Sequence, residues 1–324
     1  MLRRLWPYLL LAVLIVGNAF VWVQRDAIAD WWRLRGYVPS EDIAVLVDDT
    51  TMTDGAEHLF YVNHPVLENK QSFNEHCADH GEETAVLGCY HGNRRGIYLY
   101  AVEDQRLDGV RQVTAAHEML HQAYDRLSGS DRKRIGTLLQ DYYDTGLMEE
   151  DVKLKIDSYK RQQDVDLVNE MHSIFGSEVR QLPNELEDYY KRYFDDRLTV
   201  VAFSEAYQAE FTRRKTLVDQ YDAQLETLKS QISANKIGLE NKSTYLKAKE
   251  KEISQDITSQ DQIAYEADVN AYNAMVDAYN SQLAATRTLI EEHNRIVTER
   301  NAIAVQEQEL QQALDSRLTP GTKQ

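Results

Sequence analysis

The chain has 324 residues, room for one medium domain and an accessory region. A formal net charge of −17 argues against general nucleic-acid binding, which needs basic patches. With 5 prolines and 14 glycines the composition favours long, solvated helices over a turn-rich β protein, and two cysteines with no CxxC spacing leave no zinc-ribbon or dithiol redox framework.

Leu5–Val23 (LWPYLLLAVLIVGNAFVWV) is uncharged over about 19 residues, enough for a helix to cross a hydrocarbon core of about 30 Å. Trp6 and Trp22 stand near its ends, where an aromatic belt belongs. A cleaved signal peptide is the alternative, because Ala27-Ile28-Ala29 has the small-x-small form that signal peptidase reads, but the apolar run exceeds the usual length for one. Arg3 and Arg4 before the run and Arg25, Arg33 and Arg35 after it nearly balance the positive-inside count. The preferred reading is an anchor over residues 1–24 with a short tail inside. The protein is then a single-pass cell-membrane protein of a bacterial envelope, with the bulk of the chain extracytoplasmic.

Ile43–Val47 (IAVLV) and His58–Val62 (HLFYV) read as short strands, with Asp48–Gly55 as the turn between them. Thr84–Tyr90 and Gly96–Val102 (GIYLYAV) form a second expected pair around Gly92-Asn93-Arg94-Arg95. The later strand leads into the helix described next and offers an edge for an extended peptide to join by β-addition.

Cys77 and Cys89 share a segment with His76, His80 and His91. Outside the cytoplasm a Cys77–Cys89 disulfide closing a short loop is the simplest reading. Free thiols, or a metal site from Cys77, His80, Cys89 and His91, remain as alternatives.

Gly109–Leu127 is a strongly amphipathic stretch, with Asp108 as its expected N-cap and Gly129 as its expected stop. It holds His117-Glu118-Met119-Leu120-His121, an HExxH pattern. Residues four apart stack on one helix face, so His117 and His121 can offer two imidazole nitrogens to one metal ion. Glu118 can then hold and deprotonate a metal-bound water. The competing reading is two ordinary histidines at a core margin.

A catalytic zinc site needs a third protein ligand and an open position for water. The pattern lacks the HExxHxxGxxH extension and resembles instead the gluzincin type of zinc metallopeptidase, in which a Glu from a later helix completes the site. That resemblance covers the motif helix and the domain around it. It implies a zincin-like domain over residues 36–200, a zinc cofactor, a peptide or protein substrate, and Glu118 as general base. The helix expected to carry the third ligand is Asp164–Phe175 (DVDLVNEMHSIF), ended by Gly176, and Glu170 is the preferred ligand, with His172 and Glu178 as rivals. Asn169-Glu170 resembles the NE opening of some gluzincin third-ligand helices. Four residues on, where those helices carry an Asp or Asn, this chain has Ile174, so the partner that orients an imidazole must come from elsewhere. Asp125, one turn beyond His121, is a candidate for that role. A tyrosine among Tyr189, Tyr190 and Tyr193 is a candidate oxyanion donor, against the alternative of a packed aromatic face.

From residue 204 to 318 there is no proline. Val218, Tyr221, Leu225, Leu228, Ile232, Asn235 and Leu239 step alternately by three and four, a heptad seam that Leu246 and Ile253 continue. A second arm repeats Met275, Leu289, Ile296, Ile303 and Leu310 at multiples of seven, beside Val269, Val276, Leu283, Ile290 and Val297, with Tyr265, Tyr272 and Tyr279 at the same period. The weak, polar junction at Ser254–Gln262 favours an antiparallel helical hairpin over a single long helix that would need a partner chain.

The expected fold is therefore α+β, mainly α: a transmembrane helix, a zincin-like domain with a small sheet, and a coiled-coil arm suited to self-association or partner binding. Two functions compete, a membrane-anchored zinc metallopeptidase and a non-catalytic envelope scaffold that works through its coiled coil.

Overall fold

Two serine and threonine caps decide the first part of the chain in this computed structural model, which describes residues 18, 21–22, 24–77, 86–92, 95–162, 165–256 and 262–317. Ser40 accepts from the Ile43 amide and Thr53 from the Ala56 amide, opening helices α2 (Glu41–Asp49) and α3 (Asp54–Tyr61) where strands were expected. Acidic first turns, Glu41 and Asp42 in one and Asp54 and Glu57 in the other, complement the helix dipoles. The burial period agrees: Ile43, Leu46 and Val47 are buried, whereas Val45, which a strand would bury with Ile43 and Val47, is 48% exposed. Short apolar runs fit both periods, and here the caps decide.

Before them lies α1 (Arg25–Leu34), with Ala27-Ile28-Ala29 inside it. Its Asp30 is buried and accepts from Arg126 Nη2 at 2.7 Å. Of the expected membrane span, Asn18, Val21 and Trp22 are described and the rest lies outside the described residues. Among the described residues no helix is long and apolar enough to cross a membrane.

The sheet has three strands, β1 (Val66–Glu68), β2 (Gly88–His91) and β3 (Gly96–Tyr100), in the order β1-β3-β2. β1 runs parallel to β3 with Val66 opposite Tyr98, and β2 runs antiparallel to it with Cys89 opposite Tyr98. The expected second pair thus forms over a shorter length, and β3 is central rather than an edge. Among the described residues β2 is the outer strand on the side of the motif. Helix α4 (Lys70–Cys77) packs on the sheet through Phe73, and a disulfide joins Cys77 at its end to Cys89 in β2. Of the two histidines in the alternative cysteine–histidine metal site, His91 lies with Nε2 3.4 Å from Cys89 Sγ and His80 lies outside the described residues, and the disulfide occupies both thiols.

The motif helix is α5 (Val110–Asp125). Its N-cap is Gly109 rather than Asp108; the backbone there is left-handed (φ 99°), and a Cβ would stand 2.8 Å from the Phe203 carbonyl, so only glycine fits both demands. The helix ends at Arg126. Gly129 is no stop but the first residue of α6 (Gly129–Thr145), whose N-cap is Ser128. There follow α7 (Glu150–Lys160), α8 (Leu167–Glu178) and α9 (Asn184–Tyr190). α8 starts three residues later than expected, where Asp166 accepts from the Asn169 amide, and runs through Gly176 to Glu178. Its terminal carbonyls are satisfied by buried Arg197, which donates to the carbonyls of Phe175 and Val179 and pairs with Glu187. α5 and α8 form the centre of the core, where Met119, Leu120, Met171, Ile174 and Phe175 are fully buried.

The chain divides into two compact units, one of Met1–Ala209 with Leu310–Gln324 and one of Glu210–Glu309. Helix α10 (Arg197–Asp256) and helix α11 (Gln262–Leu314) each contribute to both. Within the second unit they run antiparallel: Asp222 meets Arg300, Asn235 meets Gln282, Lys242 meets Ala278 and Lys249 meets Asp268. Tyr221, Leu225, Leu228, Ile232, Asn235 and Leu239 are half-buried in one helix, as are Met275, Leu289 and Ile303 in the other, where Ile296 is buried. Ile290 lies outside this seam, 37% exposed. Overall the chain is mainly α with one small sheet and long C-terminal helices.

Candidate metal centre

His117 and His121 sit one turn apart on α5, with ring centroids 4.7 Å apart and nearly perpendicular planes. Because α8 packs across α5, the Glu170 carboxylate faces both rings. Glu170 Oε2 is 3.6 Å from His117 Nε2, and Oε1 is 3.6 Å from His121 Nε2. These separations are long for hydrogen bonds. They are close to the edge of a coordination tetrahedron, about 3.3–3.4 Å for ligand bonds of about 2.0–2.1 Å. The donor set of two imidazoles and a carboxylate, with ligand atoms all within 4.8 Å of one another, fits a divalent cation of the zinc type.

Inside the cluster, Glu170 draws positive charge onto His121. Burial opposes charge on Glu170, but His121 and His117 outweigh it and hold the carboxyl down to about 2. Burial also pulls both histidines down: His117 stays lowered, whereas Glu170 and Glu118 bring His121 above its ordinary value. Glu170 is therefore a carboxylate with two imidazoles in front of it.

The partner that orients an imidazole is Asn169, whose Oδ1 lies 3.0 Å from His121 Nδ1. Accepting there fixes the proton on Nδ1 and leaves the Nε2 lone pair facing Glu170. Asp125 does not take this role; it accepts from Tyr90 OH at 2.9 Å and pairs with Arg132 at 3.5 Å.

Glu118 is buried and lines the same cavity, of about 310 Å³, as His117, His121 and Glu170. Strand β2 forms its wall at Gly88, where a Cβ would stand 2.7 Å from Glu118 Oε1 and 2.8 Å from its Cγ. The approach to β2 is held by Ser316, whose hydroxyl donates to the Val86 carbonyl at 2.6 Å. Lys155, Tyr159, Glu178 and Tyr207 complete the far side. Lys155 Nζ donates to Glu178 Oε1 at 2.6 Å; burial lowers this amine, and Glu178 more than offsets it, keeping it charged. Burial pushes the Tyr207 phenol up, so it is a hydrogen-bond donor at neutral pH.

The rivals for the third ligand stand elsewhere. His172 is fully buried, hydrogen-bonded to Tyr189 OH at 2.7 Å, and burial lowers it to about 3, so it is neutral. Glu178 reaches the cavity but is engaged by Lys155. Tyr189, Tyr190 and Tyr193 pack around His172 in the core, and the phenols that do line the cavity are Tyr90, Tyr159 and Tyr207.

Asn169 carried a readable signal, its place beside Glu170. Lys155, Tyr159 and Tyr207 carried none, since each reaches the cavity through tertiary packing alone. Neither the family models nor the curated proteins and solved structures compared with this chain give a match.

Proposed function

We propose that the protein is a membrane-anchored, zinc-dependent metallopeptidase of gluzincin-like type. The observation that carries this reading is the convergence of both HExxH imidazoles on the Glu170 carboxylate at 3.6 Å each, with Glu118 in the same cavity. His117, His121 and Glu170 would hold the metal, and Asn169 would keep His121 in the ligating tautomer. Bound zinc would supply a Lewis acid and lower the pKa of its water to about 7. Glu118 takes the proton of the attacking water and delivers it to the leaving amine. Tyr159 and Tyr207 line the same cavity, and in this reading one of them donates to the carbonyl oxygen as charge develops on it.

A peptide or protein is the substrate class, because the cavity lies beside β2, the outer strand of the sheet among the described residues, where an extended backbone could align. The uncharged run Leu5–Val23 anchors the chain, and the Cys77–Cys89 disulfide favours an oxidising compartment outside the cytoplasmic membrane. The two-helix unit Glu210–Glu309 is an arm for self-association or partner binding.

Hydrolysis of an unfolded protein by the full-length chain in detergent tests this reading. Wild type is expected to cleave it and to lose activity to a chelator, and Glu118→Gln to retain metal and lose turnover by several orders of magnitude. Full turnover by Glu118→Gln would remove the role assigned to that residue, and absence of cleavage by the metal-loaded wild type would leave the non-catalytic scaffold as the better reading.

A further inference from the structure

The four tryptophans of the chain are Trp6, Trp22, Trp31 and Trp32, and there is none after residue 32. Trp22, Trp31 and Trp32 are 70%, 58% and 61% exposed. Val21 and Ile28 extend this apolar surface. Such a patch is unusual for a surface facing water alone.

Helix α1 has two faces. One docks on the body: Asp30 lies 2.7 Å from Arg126 Nη2 and 3.3 Å from His58 Nε2, Arg33 Nε donates to the Val62 carbonyl at 3.2 Å, and the Arg33 carbonyl lies 2.8 Å from His64 Nε2. The opposite face carries Ile28, Trp31 and Trp32, three and four residues apart. The Arg35 guanidinium lies 5.6 and 5.7 Å from the Trp31 and Trp32 rings, and that of Arg25 lies 5.5 Å from the Trp22 ring.

We propose that this outer face of α1 lies on the surface of the lipid bilayer, with Trp31 and Trp32 at headgroup level and Arg25 and Arg35 against lipid phosphates. The inference rests on the reading of Leu5–Val23 as a membrane span. It also explains what covers the patch: the uncharged run leads directly into α1, and Trp–Arg surfaces are the chemistry of the membrane interface. Arg126, the C-cap of the motif helix, holds Asp30, so the contact also sets the orientation of the His117–His121 helix to the bilayer.

The test uses the full chain with Trp6→Phe and Trp22→Phe, so that only Trp31 and Trp32 emit, in vesicles of phosphatidylethanolamine and phosphatidylglycerol. Flotation reads the anchor, and quenching reads α1. The expected result is flotation, loss of most of the emission with lipids brominated just below the headgroup, and little quenching by aqueous acrylamide. A protein that floats while its emission ignores brominated lipids and is quenched by acrylamide overturns the proposal and leaves the anchor standing. Shielding from both quenchers places a protein, including a second copy, on this face and overturns the lipid assignment. Failure to float overturns the span and this inference with it.

Discussion

Asn169 Oδ1 lies 3.0 Å from His121 Nδ1, one residue before the Glu170 carboxylate that faces His121 Nε2. One turn of α8 thus addresses both nitrogens of the same ring, on one side through the Asn169 amide and on the other through the Glu170 carboxylate. Asn169→Ala is expected to weaken metal affinity by about 10–100-fold, the usual cost of losing such a partner, and Asn169→Asp to restore most of it. Chelator competition on the purified chain measures this, and wild-type affinity in Asn169→Ala would deny the residue its role.

Gly88 leaves β2 room to lie on Glu118. A Cβ at that position would meet Glu118 Oε1 at 2.7 Å, so Gly88→Ala must displace the carboxylate or the strand. Overpacking of this kind costs about 1–3 kcal/mol. Turnover is expected to fall well beyond what the change in thermal stability accounts for, with bound metal unchanged. Steady-state kinetics beside metal analysis separate the two, and unimpaired turnover would show that β2 does not constrain Glu118.

His172 is buried neutral, lowered by burial to about 3 from an ordinary value of 6.5. Between those values the unfolded chain binds a proton that the folded chain does not, so this residue's contribution to stability falls as the pH drops below about 6.5. The slope approaches about 1.4 kcal/mol per pH unit. Denaturant titrations from pH 7 to 4 are expected to show it, and His172→Phe to flatten it. An unchanged slope in the variant would mean that His172 can take up a proton in the folded state.

The Cys77–Cys89 bridge closes a loop with a sequence separation of 12 and pins β2 to α4. Loop entropy alone makes the bridge worth about 3 kcal/mol. Cys77→Ser with Cys89→Ser is therefore expected to lower the melting temperature by several degrees, and equal stability with and without reductant would remove the brace from the account.

What could be read before folding followed from local rules. The heptad steps of 218–239 and 275–310 announce long helices, and HExxH places two imidazoles on one face whatever surrounds them. Ile43–Val47 misled because five apolar residues satisfy either period, and the deciding groups, Ser40 and its acidic first turn, stand outside the run. β1 escaped notice because three residues make no pattern. Asp125 is met instead by Tyr90, 35 residues away, and by Arg132 at the start of the next helix, while Asn169 lies against His121. Lys155 and Tyr207 come to the cavity from helices whose approach only tertiary packing sets.

The central claim is that Glu170, with His117 and His121, binds a metal ion. Zinc content of the full-length chain, after dialysis against a weak chelator, tests it most directly in wild type, Glu170→Ala and His172→Phe. Stoichiometric zinc is expected in wild type and in His172→Phe, and its loss in Glu170→Ala. Wild type without zinc, or Glu170→Ala with its full complement, would contradict it.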